Sequence, residues 1–371
     1  MSSSVSSPVL SSVPGQDDAM AFLMQAVARP HHAYLLAGPE GGGKQLAARA
    51  FAAALLCDRG GCGECRACTL ALEEHHPNLF VVEPEGRDIH VETVREEIWH
   101  YAYRTAPEPG RKVFVLREAD RLNPAAADAL LKVLEEPPAD SVFLLLSARP
   151  HELPETVVSR CHVVSFRPLS EDFIVSALTE AGVSPERAAL AARLSGGNLG
   201  RARRLVTEEE GLAFRDQAVE ALELARLGPA GALSAAELVV HGAERYRKGL
   251  SHVLDAELAP YLDEKGRPEE AYRAAIRRLQ DRHKRRERRA ERDYVDRVLL
   301  AASALLRDRV AATVGGGPDV AINLDLRPPD VPVSGAVAAV GAIEEARAAL
   351  AEDLNLNVRL VLEQAFLRVQ G

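Results

Sequence analysis

The stretch Gly38-Pro39-Glu40-Gly41-Gly42-Gly43-Lys44 has the G-x-x-x-x-G-K spacing of a phosphate-binding loop. Ahead of it, Ala33-Tyr34-Leu35-Leu36-Ala37 reads as a short buried strand. Behind it, the Ala- and Leu-rich run from Gln45 to Leu56 reads as a helix. That context constrains the fold more than the motif does. A strand delivers the loop, the glycines turn backbone N–H groups toward an anion, and the helix N-terminus adds partial positive charge. Gly38, Gly41, Gly42, Gly43, Lys44 and Gln45 are the candidate nucleotide contacts, with Lys44 reaching the outer phosphates. Position 45 departs from the pattern. A hydroxyl is expected there to hold Mg²⁺, and Gln is a poor substitute. The competing reading is a Gly-rich turn without a ligand, which the flanking strand and helix disfavour.

At 371 residues, the chain has room for two or three domains. With 47% hydrophobic and 27% charged residues it can bury a core, and with only 5% aromatics that core is mainly Ala, Leu and Val. A net charge of -9 argues against a dedicated nucleic-acid binder, although local basic patches are compatible with it. No apolar run is long enough to span a membrane. Residues 1–12 are Ser-rich, without a basic start or an apolar stretch, so they read as a disordered tail and not a secretion signal. The expected location is therefore the cytoplasm, where clustered cysteines favour metal over disulfides.

Cys57, Cys62, Cys65 and Cys68 follow the loop helix with C-x4-C-x2-C-x2-C spacing. Four thiolates this close can surround one tetrahedral Zn²⁺ on a tight knuckle, with Gly60, Gly61 and Gly63 allowing the turns. Unliganded, the four would be an oxidation liability. A knuckle this small has no core of its own, so the metal would supply its folding energy.

Further strands are expected at 78–83, 112–116, 142–146 and 163–166, and helices at 17–28, 91–102 and from Asn123-Pro124 to Pro137-Pro138. Lys112-Val113-Phe114-Val115-Leu116 reads as a buried parallel strand. Many P-loop ATPases place Asp then Glu at the end of such a strand, one for Mg²⁺ and one for the attacking water. Here the first of these positions is Arg117. The expectation is that Arg117 repels Mg²⁺ and partly replaces it as a phosphate counter-charge. The adjacent His31-His32 reads as a polar loop.

These motifs together resemble the AAA+ ATPases. Within them they resemble the clamp-loader subunits of bacterial DNA polymerase III, and the delta-prime type best. The resemblance is carried by residues 38–44, the four cysteines, His76-Pro77-Asn78, the run from Asp128 to Pro138, and Ser159-Arg160-Cys161, in order over the first half of the chain. It implies an α/β fold: an AAA+ P-loop domain with a parallel sheet and zinc knuckle at 13–168, a small helical lid at 169–208, and an all-α collar for oligomerisation at 209–371. It implies a stator of the polymerase holoenzyme (a nucleotidyltransferase assembly) in a hetero-pentameric ring with gamma/tau and delta subunits. Such a ring places the sliding clamp on primed DNA. Arg160 would then be an arginine finger acting in trans on a neighbour's ATP. Zinc is the implied cofactor, with ATP or ADP weakly bound and without Mg²⁺. Gln45, Arg117 and Gly200 all depart from what a hydrolysing gamma/tau motor needs. Gly200 stands where Ser195-Gly196-Gly197-Asn198-Leu199-Gly200-Arg201 would present a phosphate-sensing Arg, and Arg201 lies about 100° further round a helix.

The remaining sequence is helical and Ala/Leu-rich from about 209. Val358, Val361, Leu362, Ala365, Phe366 and Val369 form one stripe capped by Asn357. Within a basic insertion at 265–293, Arg273 to Arg292 is dense in Arg and Lys. It reads as an exposed charged helix before it reads as a DNA-phosphate contact. Residues 315–332 read as a mobile Gly/Pro-rich loop. Two rivals stay open: an active gamma/tau-like ATPase, and a zinc-containing nucleic-acid binding module with a relic P-loop.

Overall fold

The computed structural model describes the backbone at 7–84, 88–207, 213–258, 273–316, 320–323, 325–326, 332–352 and 356–370, and side chains at the same positions except 250–258, 273–289 and 370. The chain divides into two compact units, residues 1–203 and 204–371.

The first unit is built on five parallel strands: β1 (Ala33–Ala37), β2 (Leu79–Val82), β3 (Lys112–Leu116), β4 (Ser141–Ser147) and β5 (His162–Ser165). Their spatial order is β2-β3-β4-β1-β5. Every residue of β1, β3 and β4 is buried, as expected for parallel strands covered on both faces. Side chains alternate between two cores. Tyr34, Leu36, Val113, Val115, Leu144 and Leu146 face the helix Lys44–Leu56 and its Phe51. Leu35, Phe114, Leu116, Phe143 and Leu145 face the other side, with Leu130, Val133 and Leu134 of the helix Pro124–Glu135. The register pairs Ala37 with Ser147, so the loop after β1 emerges beside the end of β4. This is the fold class implied by the sequence.

Two details differ from the sequence reading. From Pro8 on, the Ser-rich start is ordered: Pro8–Ser11 is a helical turn, and Val9, Leu10 and Val13 are buried against the core. The three apolar residues are what the serine content conceals. Residues 1–6 lie outside those described. The segment 91–102 is helical, but its middle, Val94–Trp99, is π-helical. The wider turn leaves Val94 and Ile98 buried while Tyr101 comes out partly exposed, stacked on Phe80 at 4.7 Å between ring centres.

His76-Pro77-Asn78 acts as a clamp. The Asn78 side chain donates to the carbonyls of Glu108 (2.8 Å) and Arg111 (3.0 Å) and accepts from the Glu108 N–H (2.9 Å). It thereby ties down the loop leading into β3. His76 is buried, which holds its imidazole below the usual range, and its Nδ1 accepts from the Asn78 N–H.

Beyond β5 come the helices Glu171–Glu180, Pro185–Ser195 and Leu199–Thr207. Ser170 and Ser184 cap the first two, and Gly196 ends the second in the left-handed region.

The second unit is all-helical among its described residues: Ala213–Ala225, Pro229–Leu258, Arg273–Thr313, Val333–Glu352 and Val358–Leu367. The terminal stripe is core: Leu362, Ala365, Phe366 and Val369 are buried. The segment expected to be a mobile loop is pinned where it is described. Asp308 accepts from the N–H groups of Ile322 and Asn323, and buried Arg215 donates to Asn323 and forks onto Asp325. Of the basic insertion, 265–272 lies outside the described residues. From Arg273 its backbone is helical, and its side chains up to 289 are also outside them.

Candidate nucleotide and metal sites

The phosphate-binding loop leaves β1 at Ala37 and enters the helix Lys44–Leu56, whose N-cap is Gly43 at φ 91°. Two of its glycines are required by crowding as well as by conformation. A Cβ on Gly38 would lie 2.2 Å from the Phe166 carbonyl oxygen, and one on Gly41 would lie 1.8 Å from Asn198 Nδ2. Asn198 comes from the turn before the helix Leu199–Thr207, where its Oδ1 also accepts from the Arg201 N–H (2.9 Å).

Lys44 is only 9% exposed. Its Nζ donates to the carbonyls of Gly38 (2.5 Å) and Pro39 (2.7 Å), both within the loop. Burial lowers its pKa, while the charges of Glu40 and Asp120 oppose that shift. Gln45 is exposed on the first turn of the helix. The loop is also held from behind. Gln16 Nε2 donates to Gly42 O (3.0 Å) and Arg167 O (2.7 Å), and Gln16 Oε1 accepts from the Arg167 N–H.

Arg117 stands at the end of β3, as expected, but its guanidinium has other partners. Nη1 donates to Glu83 and Nη2 to Glu74, and Arg49 Nε donates to Glu74 at 2.6 Å. The expected phosphate counter-charge is therefore already neutralised by two carboxylates. The physical reason is proximity: Glu83 follows β2, the neighbour of β3, and Glu74 follows the cysteine module. Besides Glu40 within the loop, the acid whose charge reaches Lys44 is Asp120. Its carboxylate accepts from Ser147 Oγ (2.6 Å) and Arg149 Nη2 (3.2 Å). Sequence reasoning missed Asp120, Gln16 and Asn198. The signal available for Asp120 was a second acid three residues past Arg117, and for Gln16 and Asn198 there was none beyond their closeness to glycines.

Arg160 is part-exposed after the short helix Glu155–Val158. Its Nη1 donates to Thr156 O (2.8 Å) and its Nη2 to Glu135 Oε1 (2.5 Å). Cys161 beside it is buried, which pushes its thiol up to about 12. Its Sγ lies 3.3 Å from Val157 O, in a different place from the other four cysteines.

Those four come together. The sulfurs of Cys57, Cys62, Cys65 and Cys68 all lie within 4.8 Å of one another, with 57–62 at 3.8 Å, 57–65 at 3.6 Å and 62–68 at 3.9 Å. Tetrahedral zinc with Zn–S bonds of about 2.3 Å needs sulfurs about 3.8 Å apart, so the donor set fits. Burial raises the Cys57 thiol, but the backbone N–H groups of Cys62, Gly61 and Arg59 outweigh it and bring it down to about 6. Burial pushes the Cys68 thiol up, and the neighbouring Cys57 and Cys65 sulfurs further oppose a second thiolate beside the first. A divalent ion removes that opposition. Cys57 is the C-cap of the loop helix, and Cys65 is the N-cap of Arg66–Leu72, its sulfur accepting from the Cys68 N–H.

The family described as "DNA polymerase III, delta subunit" matches residues 15–170. The DNA polymerase III subunit delta' of Pseudomonas aeruginosa is 48% identical over 136 residues, covering 35% of this chain and 41% of that protein. The subunit delta' of Bacillus subtilis is 34% identical over 202 residues, covering 53% of this chain and 60% of that protein. The subunit tau of Bacillus subtilis is 31% identical over 156 residues, 40% of this chain and 27% of that one. The chain spans about half the length of the delta' relatives it matches. Among the described residues, no helix is long and apolar enough to cross a membrane. Over residues 15–170, which carry the phosphate loop, the four cysteines and Arg160, the chain is similar to the DNA polymerase III subunits named delta'.

Proposed function

We propose that the chain is the stator of a clamp loader: a subunit that does not hydrolyse ATP itself but completes the ATP site of a neighbouring motor. The observation that carries this reading is the state of the phosphate loop. Lys44 is satisfied by the loop's own carbonyls, Asn198 fills the space over Gly41, and position 45 has no hydroxyl for Mg²⁺. With Arg117 engaged by Glu74 and Glu83, the site has neither a metal-holding group nor a free counter-charge at the positions a motor would use. Any ATP or ADP would bind weakly and almost independently of Mg²⁺. The four cysteines would hold one structural zinc, which takes no part in the chemistry.

Arg160 would act outward. Its guanidinium is held at the surface by one carboxylate and one carbonyl, contacts that phosphate oxygens can replace. Phosphoryl transfer builds charge on the outer phosphate, and a planar fork of donors stabilises it without losing a proton. The partners would be gamma/tau-type motors and a delta subunit in a ring of five, acting on the sliding clamp and primed DNA.

The test is reconstitution with motor and delta subunits of the same source. The isolated chain should show no ATP turnover. Arg160→Ala should assemble normally, and the complex should lose the hydrolysis of the one site this chain completes, along with ATP-triggered clamp loading. Lys at 160 should restore only part of it, lacking the fork. Wild-type hydrolysis and loading by the Ala complex would reduce the chain to a scaffold. Turnover by the isolated chain would make it a motor.

A further inference from the structure

The segment Ser7–Gln16 touches both the cysteine module and the phosphate loop, and neither function uses it. At its start, the Val9 N–H donates to Gly61 O (3.3 Å), inside the loop that carries the cysteines. Gly61, at φ +95°, is packed so closely that a Cβ there would lie 2.5 Å from Ser7 Oγ and 2.6 Å from Val9 Cγ2. In its middle, Val9, Leu10 and Val13 are buried in the same core as Phe51, Ala54, Cys57 and Cys68. At its end, Gln16 is 6% exposed and bridges the phosphate loop at Gly42 to the backbone of Arg167. Gln16 is also fixed from behind, since its carbonyl accepts from the Met20 N–H in the helix Asp17–Ala26.

We propose that Ser7–Gln16 is a strap that couples the four-cysteine module to the phosphate loop, with Gln16 as the positioning residue. Metal binding at the cysteines then sets how rigidly the loop is held. The physical chain is short. A bound ion fixes the knuckle and with it Gly61, and Gly61 seats Val9. The buried apolar residues carry that position along the segment, and Gln16 holds Gly42 through a buried hydrogen bond. The helix Lys44–Leu56 offers a second, direct route, because it starts at the loop and ends at Cys57. The strap is distinguished from that route by its dependence on Gln16. The proposal rests on metal occupancy of the cysteines and not on the stator role.

The test is amide hydrogen exchange on the full-length protein, reading peptides over residues 38–44, with β3 peptides over 112–116 as a control for global opening. Gln16→Met keeps the side-chain length and removes the hydrogen bonds. It should raise exchange of the loop by about tenfold or more at unchanged metal content. Stripping the metal with a thiol-reactive reagent and chelator should raise loop exchange in the wild type by a similar factor, and should add little in the Gln16→Met protein. Where stripping also opens β3, Val9→Ala replaces it, since that variant keeps the cysteines and should loosen the loop by a smaller factor. Three results overturn the proposal. One is wild-type protein without metal. The second is loop exchange unchanged in both Gln16→Met and Val9→Ala. The third is metal removal loosening the loop equally in wild type and Gln16→Met, which would assign the coupling to the helix.

Discussion

Replacing Arg117 with Met tests where that guanidinium sits in solution. The three charged side chains are poorly exposed: 15% for Arg117, 18% for Glu74 and 32% for Glu83. Removing the partner of a fully buried ion pair costs about 3–5 kcal/mol. A surface pair is worth about 0–1 kcal/mol. This cluster lies between those limits, and Glu74 keeps Arg49, so the expected loss is about 2 kcal/mol at neutral pH. The pH dependence has a definite sign. Burial raises the Glu74 pKa, but Arg117 and Arg49 outweigh it and hold the carboxyl below its ordinary 4.5. A depressed carboxyl contributes stability that is fully present above the unfolded value and is lost as pH falls through the folded value. The gap between wild type and Arg117→Met should therefore be full at pH 7 and close below pH 4.5. Trp99 is the single tryptophan and lies in the same unit, so its fluorescence during urea unfolding reports the relevant transition. Adding Glu74→Gln and Glu83→Gln to the Met variant should recover most of the loss. A cost under about 0.5 kcal/mol at pH 7 would refute the placement. It would return Arg117 to the pool of groups free to face a phosphate.

The purified protein should carry about one zinc per chain, which Cys65→Ser should lose and Cys161→Ser should keep; metal analysis under reducing conditions without chelator decides it. Asn78→Ala should destabilise the first unit by about 3 kcal/mol, since three hydrogen bonds to backbone groups are lost at a residue 1% exposed. A urea midpoint close to wild type would show that water replaces the clamp. Nucleotide titrations with and without Mg²⁺ should give weak affinities that differ little, and a strong Mg²⁺ dependence would contradict the part given to Gln45.

Local features that depend on spacing along the chain were legible in the sequence alone. The phosphate loop is a run of glycines between a strand and a helix, and the cysteine cluster is four cysteines within 12 residues, so both can be read locally. The buried strands could be read for the same reason, because uninterrupted apolar runs of four or five residues belong to the middle of a parallel sheet. What the sequence could not determine is which side chain meets which partner across the fold. Arg117 finds Glu74 and Glu83 from 43 and 34 positions away, and Gln16 finds Arg167 from 151 away. Asn198 closes over Gly41 only because the turn before the helix Leu199–Thr207 is brought to the loop. The serine-rich start looked polar by composition, yet three apolar residues decide its burial, because a core forms from whatever apolar surface the sheet and helix leave uncovered. Strand order sets those meetings, and strand order is a property of the assembled sheet and not of any window of sequence.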